Sequence, residues 1–269
     1  MIIRHDLQLV FIHVPKCAGK QLRWIFKTTS EKDAIEELWN YDHSTTLDRY
    51  VDLAHLPLSD LRHYPQFQYL NQYTVVASIR DPYMRLLSAV NEYYRQKSKR
   101  FERMANSGQI SSKMKERYYK RIQAKHSDLD PRFIHSLPMN RFTHYGREPK
   151  VDHLLRCETL KEDMESLAKE LKWPNEMHQA IPRHLKTNAP DKAKLQLTEK
   201  EQRLAEAIYE DDFETFSYPR INAKSNQLIS KPTAAGKARH IHQCTAVKWH
   251  WGPNAQRKAD AMNPTRTRC

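Results

Sequence analysis

Between Leu7 and Phe26 the chain reads LQLVFIHVPKCAGKQLRWIF, and no other stretch restricts the fold as much. Leu9-Val10-Phe11-Ile12-His13-Val14 is an apolar run of strand length that stops at Pro15. Lys16-Cys17-Ala18-Gly19-Lys20 is a lysine followed by a small-residue turn. Leu22, Ile25 and Phe26 then fall on one face of a helix. A buried strand, a tight loop and a helix in this order aim backbone N–H groups and a helix N-terminus at one point, which suits a phosphate. Lys16 adds a mobile positive charge there. The segment departs from the nucleotide loop G-x-x-x-x-G-K-[ST]. Pro15 stands where the first glycine belongs, and Gln21 follows Lys20, so the magnesium-holding hydroxyl is missing. Taken alone, an ordinary strand–turn–helix corner with a surface lysine reads the same way.

A second segment has the same form. Tyr73 to Ile79 is a β-rich apolar run ending in Arg80-Asp81-Pro82. Asp81 is placed to cap a helix whose first position is Pro82, and Leu86, Leu87, Val90 and Tyr94 form its apolar face. Arg80 at the strand end and Ser88 two helical turns on are placed to hold a second phosphate.

Together, PKCAGKQL and RDPYMRLLS resemble the two cofactor signatures of the sulfotransferases, in their carbohydrate-modifying branch (sulfotransferase family 2). There the first signature reads P-K-[ST]-[GA]-[GS]-[ST]-[SQ]-[LF] and binds the 5′-phosphosulfate of 3′-phosphoadenosine 5′-phosphosulfate (PAPS). The second, with Arg and Ser eight apart, binds the 3′-phosphate. The resemblance implies 5′ contacts from Lys16, Cys17, Ala18, Gly19, Lys20 and Gln21, and 3′ contacts from Arg80 and Ser88. Lys20 departs from the usual Ser or Thr, though a lysine serves the same anion. Val151–Leu160 looks like the family's third core strand and the helix start after it. His184–Asn188 resembles a stretch that closes over the cofactor in the heparan 2-O-sulfating branch, which implicates Lys186 and Thr187. Ala207–Tyr218 resembles the closing helix. The implied fold is the P-loop-NTPase-like α/β fold of the sulfotransferases, and the look is that of a bacterial member.

The order of elements leads to the same class. Strands are expected at 8–14, 74–79 and 151–156, and helices at 19–28, 82–100, 159–171 and 198–212. The stretch 30–72 is unassigned, 128–150 reads as a loop, and an ordered loop joins the last two helices. Strands alternating with helices make a parallel sheet covered on both faces, with ligands at the carboxyl ends of the strands. Pro15-Lys16, Arg80 and Glu158 fall at such ends.

Charge divides the chain. The net charge of +13 resides in two segments: 95–125 carries +9 and 221–269 carries +8, leaving the rest at −4. This separates a domain over 1–220, with a basic helical insert at about 95–125, from a basic tail at 221–269 whose composition predicts no stable core. The insert either continues the second helix and lines a groove for an acidic substrate or is a solvated face. No apolar run reaches the ~18 residues of a membrane helix. The start, MIIRHD, leaves no room for a leader before the first strand, so a cytoplasmic protein is expected. Cys17, Cys157, Cys244 and Cys269 show no paired or metal-like spacing, so reduced thiols are expected. No cluster of His, Cys and Asp ligands is evident, and no metal is expected.

Sulfuryl transfer to an alcohol needs a base for the hydroxyl proton and a cation at the leaving phosphate. Lys16 is the cation. His55, in DLAHLPL, resembles the segment that carries the catalytic histidine in the 2-O-sulfating branch. Asp52 and Glu92 remain as carboxylate alternatives, His13 reads as structural, and His184 is placed to touch cofactor or substrate. The partners this implies are PAPS and a hydroxyl acceptor, with glycan favoured by the branch. Nucleic acid is not expected. The competing readings are a non-catalytic basic polyanion or nucleic-acid binder, and a phosphate-transferring kinase.

Overall fold

The computed structural model describes residues 1–29, 31–123, 131–185 and 197–221. Lys186, Thr187 and the basic tail beyond residue 221 lie outside them.

Two parallel pairings build the centre. Strand β2 (Leu9–Ile12) follows a short β1 (Ile2–Arg4), and the helix α1 (Gly19–Phe26) comes next. Three further short strands follow, β3 (Ile35–Glu37), β4 (Tyr41–Ser44) and β5 (Arg49–Asp52), then the single-turn helix α2 (Leu58–Leu61) and strand β6 (Thr74–Ile79). Helices α3 (Pro82–Arg95), α4 (Lys99–Asn106) and α5 (Ser112–Gln123) come next. After them stand α6 (Asn140–Thr143), the two-residue strands β7 (His144–Tyr145) and β8 (Glu148–Pro149), and β9 (His153–Arg156). Helices α7 (Leu160–Glu170), α8 (Asn175–His184), α9 (Glu199–Ile208) and α10 (Glu210–Thr215) complete the described chain.

The main sheet has the order β3-β1-β2-β6-β9. Val10 pairs with Val75 and Ser78 with Leu155, both in parallel register, whereas β1 runs antiparallel to β2 and β3. Side-chain alternation along the strands then splits the core. Val10, Ile12, Val75, Ala77 and Ile79 pack under α3, α9 and α10. Leu9, Phe11, Val76 and Leu155 pack under α1, α7 and α8. The expected α/β sheet with helices on both faces is therefore present, extended at one edge by β1, which runs against the others, and by β3 beyond it.

Several boundaries differ from the expectation, each for a local reason. The basic insert does not continue α3. The chain breaks at Gln96, and Ser98 starts α4 by accepting a hydrogen bond from the Phe101 amide. Gly108, at φ 70°, sits in the turn after α4, where left-handed backbone favours glycine. The expected helix 198–212 is two helices, α9 and α10, meeting at Tyr209. The expected ordered loop before it contains α8. Pro182 reads as a helix breaker, yet Met177, Ala180 and Ile181 bury one face of that helix. Within 131–150 the described chain forms a 3₁₀ turn (Pro131–Ser136), α6 and the β7–β8 hairpin. The cap of α3 is as expected: Asp81 accepts from the Met84 amide at 3.0 Å, with Pro82 in the first position.

Phe26 fixes α1 against the sheet. It is fully buried, its ring stacks on Phe11 at 4.5 Å and it meets Trp173 edge-on at 5.4 Å. Phe26→Ala is expected to cost about 3–5 kcal/mol, read as a shift of the urea midpoint. A loss below 1 kcal/mol would mean that α1 does not depend on this contact.

Candidate active site

The loop between β2 and α1 is pinned by its carbonyls. Pro15 O accepts from Arg85 Nε at 3.1 Å, Lys16 O accepts from Arg80 Nη1 at 3.3 Å, and Cys17 O accepts from Ser78 Oγ. The three donors lie on β6 (Ser78), just after it (Arg80) and in the first turn of α3 (Arg85). In a trans peptide the next residue's N–H points opposite the carbonyl, so this anchorage turns the amides of Lys16, Cys17 and Ala18 away from β6. The amide of Cys17 is spent on Val14 O at 3.4 Å and that of Gln21 on Ala18 O at 2.9 Å. Those of Ala18, Gly19 and Lys20 have no acceptor among the described residues, and no side chain caps α1. Lys16 at φ 65° and Ala18 at φ 59° hold left-handed backbone that non-glycine residues avoid. Gly19 is required for another reason: a Cβ there would stand 1.8 Å from the His13 ring. Unspent amides at a helix N-terminus make an anion cradle.

The charged groups around the cradle are already paired. Lys16 Nζ lies 2.9 Å from Glu92 Oε2 on α3. Glu92 also accepts from Arg95 and, at 3.2 Å, from Gln96 Nε2. Burial opposes the ionised carboxylate, but the charge and hydrogen bond of Lys16 bring its pKa down to about 2. Arg80 and Lys16, read from separate segments, thus meet directly. Ser88 is half-buried on α3, and its hydroxyl makes no hydrogen bond among the described residues. Just after β9, Glu158 accepts from the Asp81 amide at 2.8 Å and from Tyr218 Oη at 3.1 Å, tying the ends of β9 and β6 to the segment after α10.

His55 stands beside this loop. It ends the 3₁₀ turn Leu53–His55 after β5, and its Nδ1 lies 3.0 Å from His13 O. A carbonyl only accepts, so the bond puts the proton on Nδ1 and leaves the Nε2 lone pair open. The His13 ring is 4.2 Å from that of His55, and the His135 ring is 5.2 Å away on the other side. Asp52, buried, caps the turn by accepting from the Ala54 amide at 3.1 Å. Burial lowers the pKa of His55, opposed by Asp52, and lowers His13 and His135 well below the ordinary imidazole value. Burial raises Asp52 against the pull of His55. One ligand-type atom from each of Asp52, His55 and His135 lies within 4.8 Å of the others. No ligand spacing in the chain announces this cluster, but the fold assembles it.

Two residues of the site have no sequence reading of their own. His135 arrives from the Pro131–Ser136 turn, and nothing local marks it. Arg85 sits fully buried in α3, with Nη1 and Nη2 unpartnered and its guanidinium 5.4 Å from the Tyr209 ring. A basic residue beside the apolar stripe of α3 was the available signal. His184, read as a possible ligand contact, ends α8 and stacks on Trp24 at 6.2 Å.

Among the described residues no helix is long and apolar enough to cross a membrane. No curated protein and no solved structure matches the chain. Residues 1–219 match the model of the sulfotransferase family, whose general chemistry is sulfuryl transfer. The match includes the pinned loop, the Arg80 strand end and the Glu158 strand end, and on it the chain belongs to the sulfotransferase family.

Proposed function

We propose that this protein moves a sulfuryl group from PAPS to a hydroxyl of an acidic carbohydrate, with His55 as the base. The observation that carries the reading is the pinned loop: open amides of Ala18, Gly19 and Lys20 beside Lys16, with Arg80 bonded to the same loop. These residues suit a ligand with two separated anionic groups. Lys16 and the open amides of Ala18, Gly19 and Lys20 would hold the 5′-phosphosulfate, flanked by Cys17 and Gln21 whose amides are bonded within the loop, and Arg80 with Ser88 the 3′-phosphate. Lys186 and Thr187 complete the proposed set from outside the described residues. PAPS supplies an activated sulfuryl group on a phosphate leaving group.

The residues of this chain divide the work. Lys16, drawn from Glu92 by the stronger charge of the phosphosulfate, stabilises the oxygen left behind when the sulfur–oxygen bond breaks. His55 takes the acceptor proton on Nε2 as the hydroxyl attacks in line from the opposite side. Glu92 is a poor base because its pKa of about 2 lies far below working pH. Asp52 is buried and committed to the Ala54 amide. Gln21 offers no hydroxyl for magnesium, so the residues of the loop accomplish this without a metal.

The acceptor class is argued from a cavity of about 320 Å³ between α3 and α5. Buried Tyr93, Tyr94 and Tyr118 line it with exposed Lys97, Arg117 and Arg121, and no acidic side chain does. Lys97 Nζ stands 4.5 Å from the Tyr93 ring centre, and Arg121 Nη1 donates to Tyr93 Oη at 2.8 Å. Aromatic faces suit sugar C–H groups, and the cations suit carboxylates.

Calorimetry with PAP, the desulfated product, tests the donor site. Arg80→Ala is expected to weaken PAP about ten- to a hundredfold and to leave adenosine 5′-phosphosulfate, which lacks the 3′ group, nearly unchanged. If the protein binds no PAP but binds polyanions in a salt-sensitive way that ignores Arg80→Ala, it is a polyanion binder. For the base, His55→Ala should lower kcat by about 10²–10⁴-fold with PAP affinity within a few-fold. In the wild type, activity rises with pH as His55 loses its proton, through a midpoint below the usual ~6.5; this limb should vanish in the variant. Intact kcat in His55→Ala beside a dead Asp52→Asn would make the base a carboxylate. For the acceptor, Lys97→Gln, Arg117→Gln and Arg121→Gln together should raise KM for a uronate-bearing oligosaccharide and spare PAP affinity. An unchanged KM would make the cavity irrelevant to the acceptor.

A further inference from the structure

We propose that Asp52, His55 and His135 form a site for a borderline transition-metal ion, Zn²⁺ foremost, and that the ion acts as a brake by occupying the proton-accepting nitrogen. The braking half rests on His55 being the base; the binding half stands without it.

The three groups come from separate places: the last residue of β5, the turn that follows it, and the turn Pro131–Ser136. Their candidate ligand atoms lie within 4.8 Å of one another. An equilateral triangle of that side has corners about 2.8 Å from its centre, against zinc–ligand distances of about 2.0–2.2 Å. Closure of about 0.7 Å per ligand would therefore seat an ion, a shift that side-chain rotation supplies.

Each ligand is prepared independently of that spacing. His135 is 7% exposed, and its Nδ1 is buried with no hydrogen-bond partner among the described residues. An unpaired buried imidazole nitrogen is costly unless something satisfies it. His55 carries the second hydrogen bond characteristic of metal-bound histidines, Nδ1–H to a backbone carbonyl, which leaves Nε2 as its ligating nitrogen. Asp52 is held by the Ala54 amide. Lys16, a cation that acts on His55 and His135, is offset by Glu92 at 2.9 Å, so it does not repel a divalent ion unopposed. Two imidazoles and one carboxylate suit Zn²⁺ or Co²⁺; Mg²⁺ and Ca²⁺ ask for six or more oxygens. His55 is partly buried while its partners are buried, so a fourth ligand would approach from the His55 side. An ion there would take the Nε2 lone pair, and His55 could no longer accept the acceptor's proton.

The test uses the full chain, treated with EDTA and exchanged into metal-free buffer. Zn²⁺ calorimetry and visible absorption of added Co²⁺ are recorded for the wild type, Asp52→Asn and His135→Ala. One tight equivalent is expected, with the intense absorption of four-coordinate Co²⁺, weakened at least tenfold in each variant. Asp52→Asn, which keeps the side-chain shape, decides the matter if His135→Ala does not fold. Turnover should persist in EDTA, fall with added Zn²⁺ at the calorimetric midpoint and return when EDTA is restored. No tight equivalent, or one equally tight in both variants, overturns the site. A tight equivalent lost in the variants but without effect on turnover keeps the site and overturns both the brake and the assignment of His55 as base.

Discussion

Three successive carbonyl oxygens, on Pro15, Lys16 and Cys17, are held from behind by side chains of a single strand–helix unit. The geometry of the site depends on that grip. Left-handed backbone at Lys16 and Ala18 costs about 1–2 kcal/mol per residue, and a free loop would relax. Two of the three restraining bonds come from guanidinium groups, and bonds to charged groups contribute about 1.5–3 kcal/mol each. The restraint therefore outweighs the strain. Fully buried Arg85 acts as a structural strut through Nε on Pro15 O.

Electrostatics then sorts the candidate bases. Glu92 and Asp52 are both carboxylates close to the site, but their surroundings push them in opposite directions. Lys16 holds Glu92 ionised, while burial favours the protonated form of Asp52. His55 lies between these extremes. Its tautomer is set by the carbonyl of His13, the residue that follows β2.

What was legible in the sequence follows burial. Parallel strands hidden on both faces read as continuous apolar runs, which is why Leu9–Ile12 and Thr74–Ile79 stood out together with the loop and cap that follow each. Strands β1 and β3, three residues apiece, carry too little pattern to register. Pro182 concealed α8, because local propensity argued against a helix that tertiary burial sustains. Lys16 and Arg80 were readable because each ends a buried strand. His135 was not, because its role comes from residues some eighty positions earlier in the chain.

The pairing of Val10 with Val75 and of Ser78 with Leu155 joins segments that are remote along the chain. Closure entropy must be spent on both crossings before either rewards it, and such topologies form slowly. Until then the Val75–Ile79 run is an unpaired apolar strand, the kind of segment that associates with other chains. The anion cradle, whose struts come from β6 and α3, can exist only after the first crossing is made. A ligand that binds it acts on the finished sheet and, by mass action, draws the population toward the folded protein.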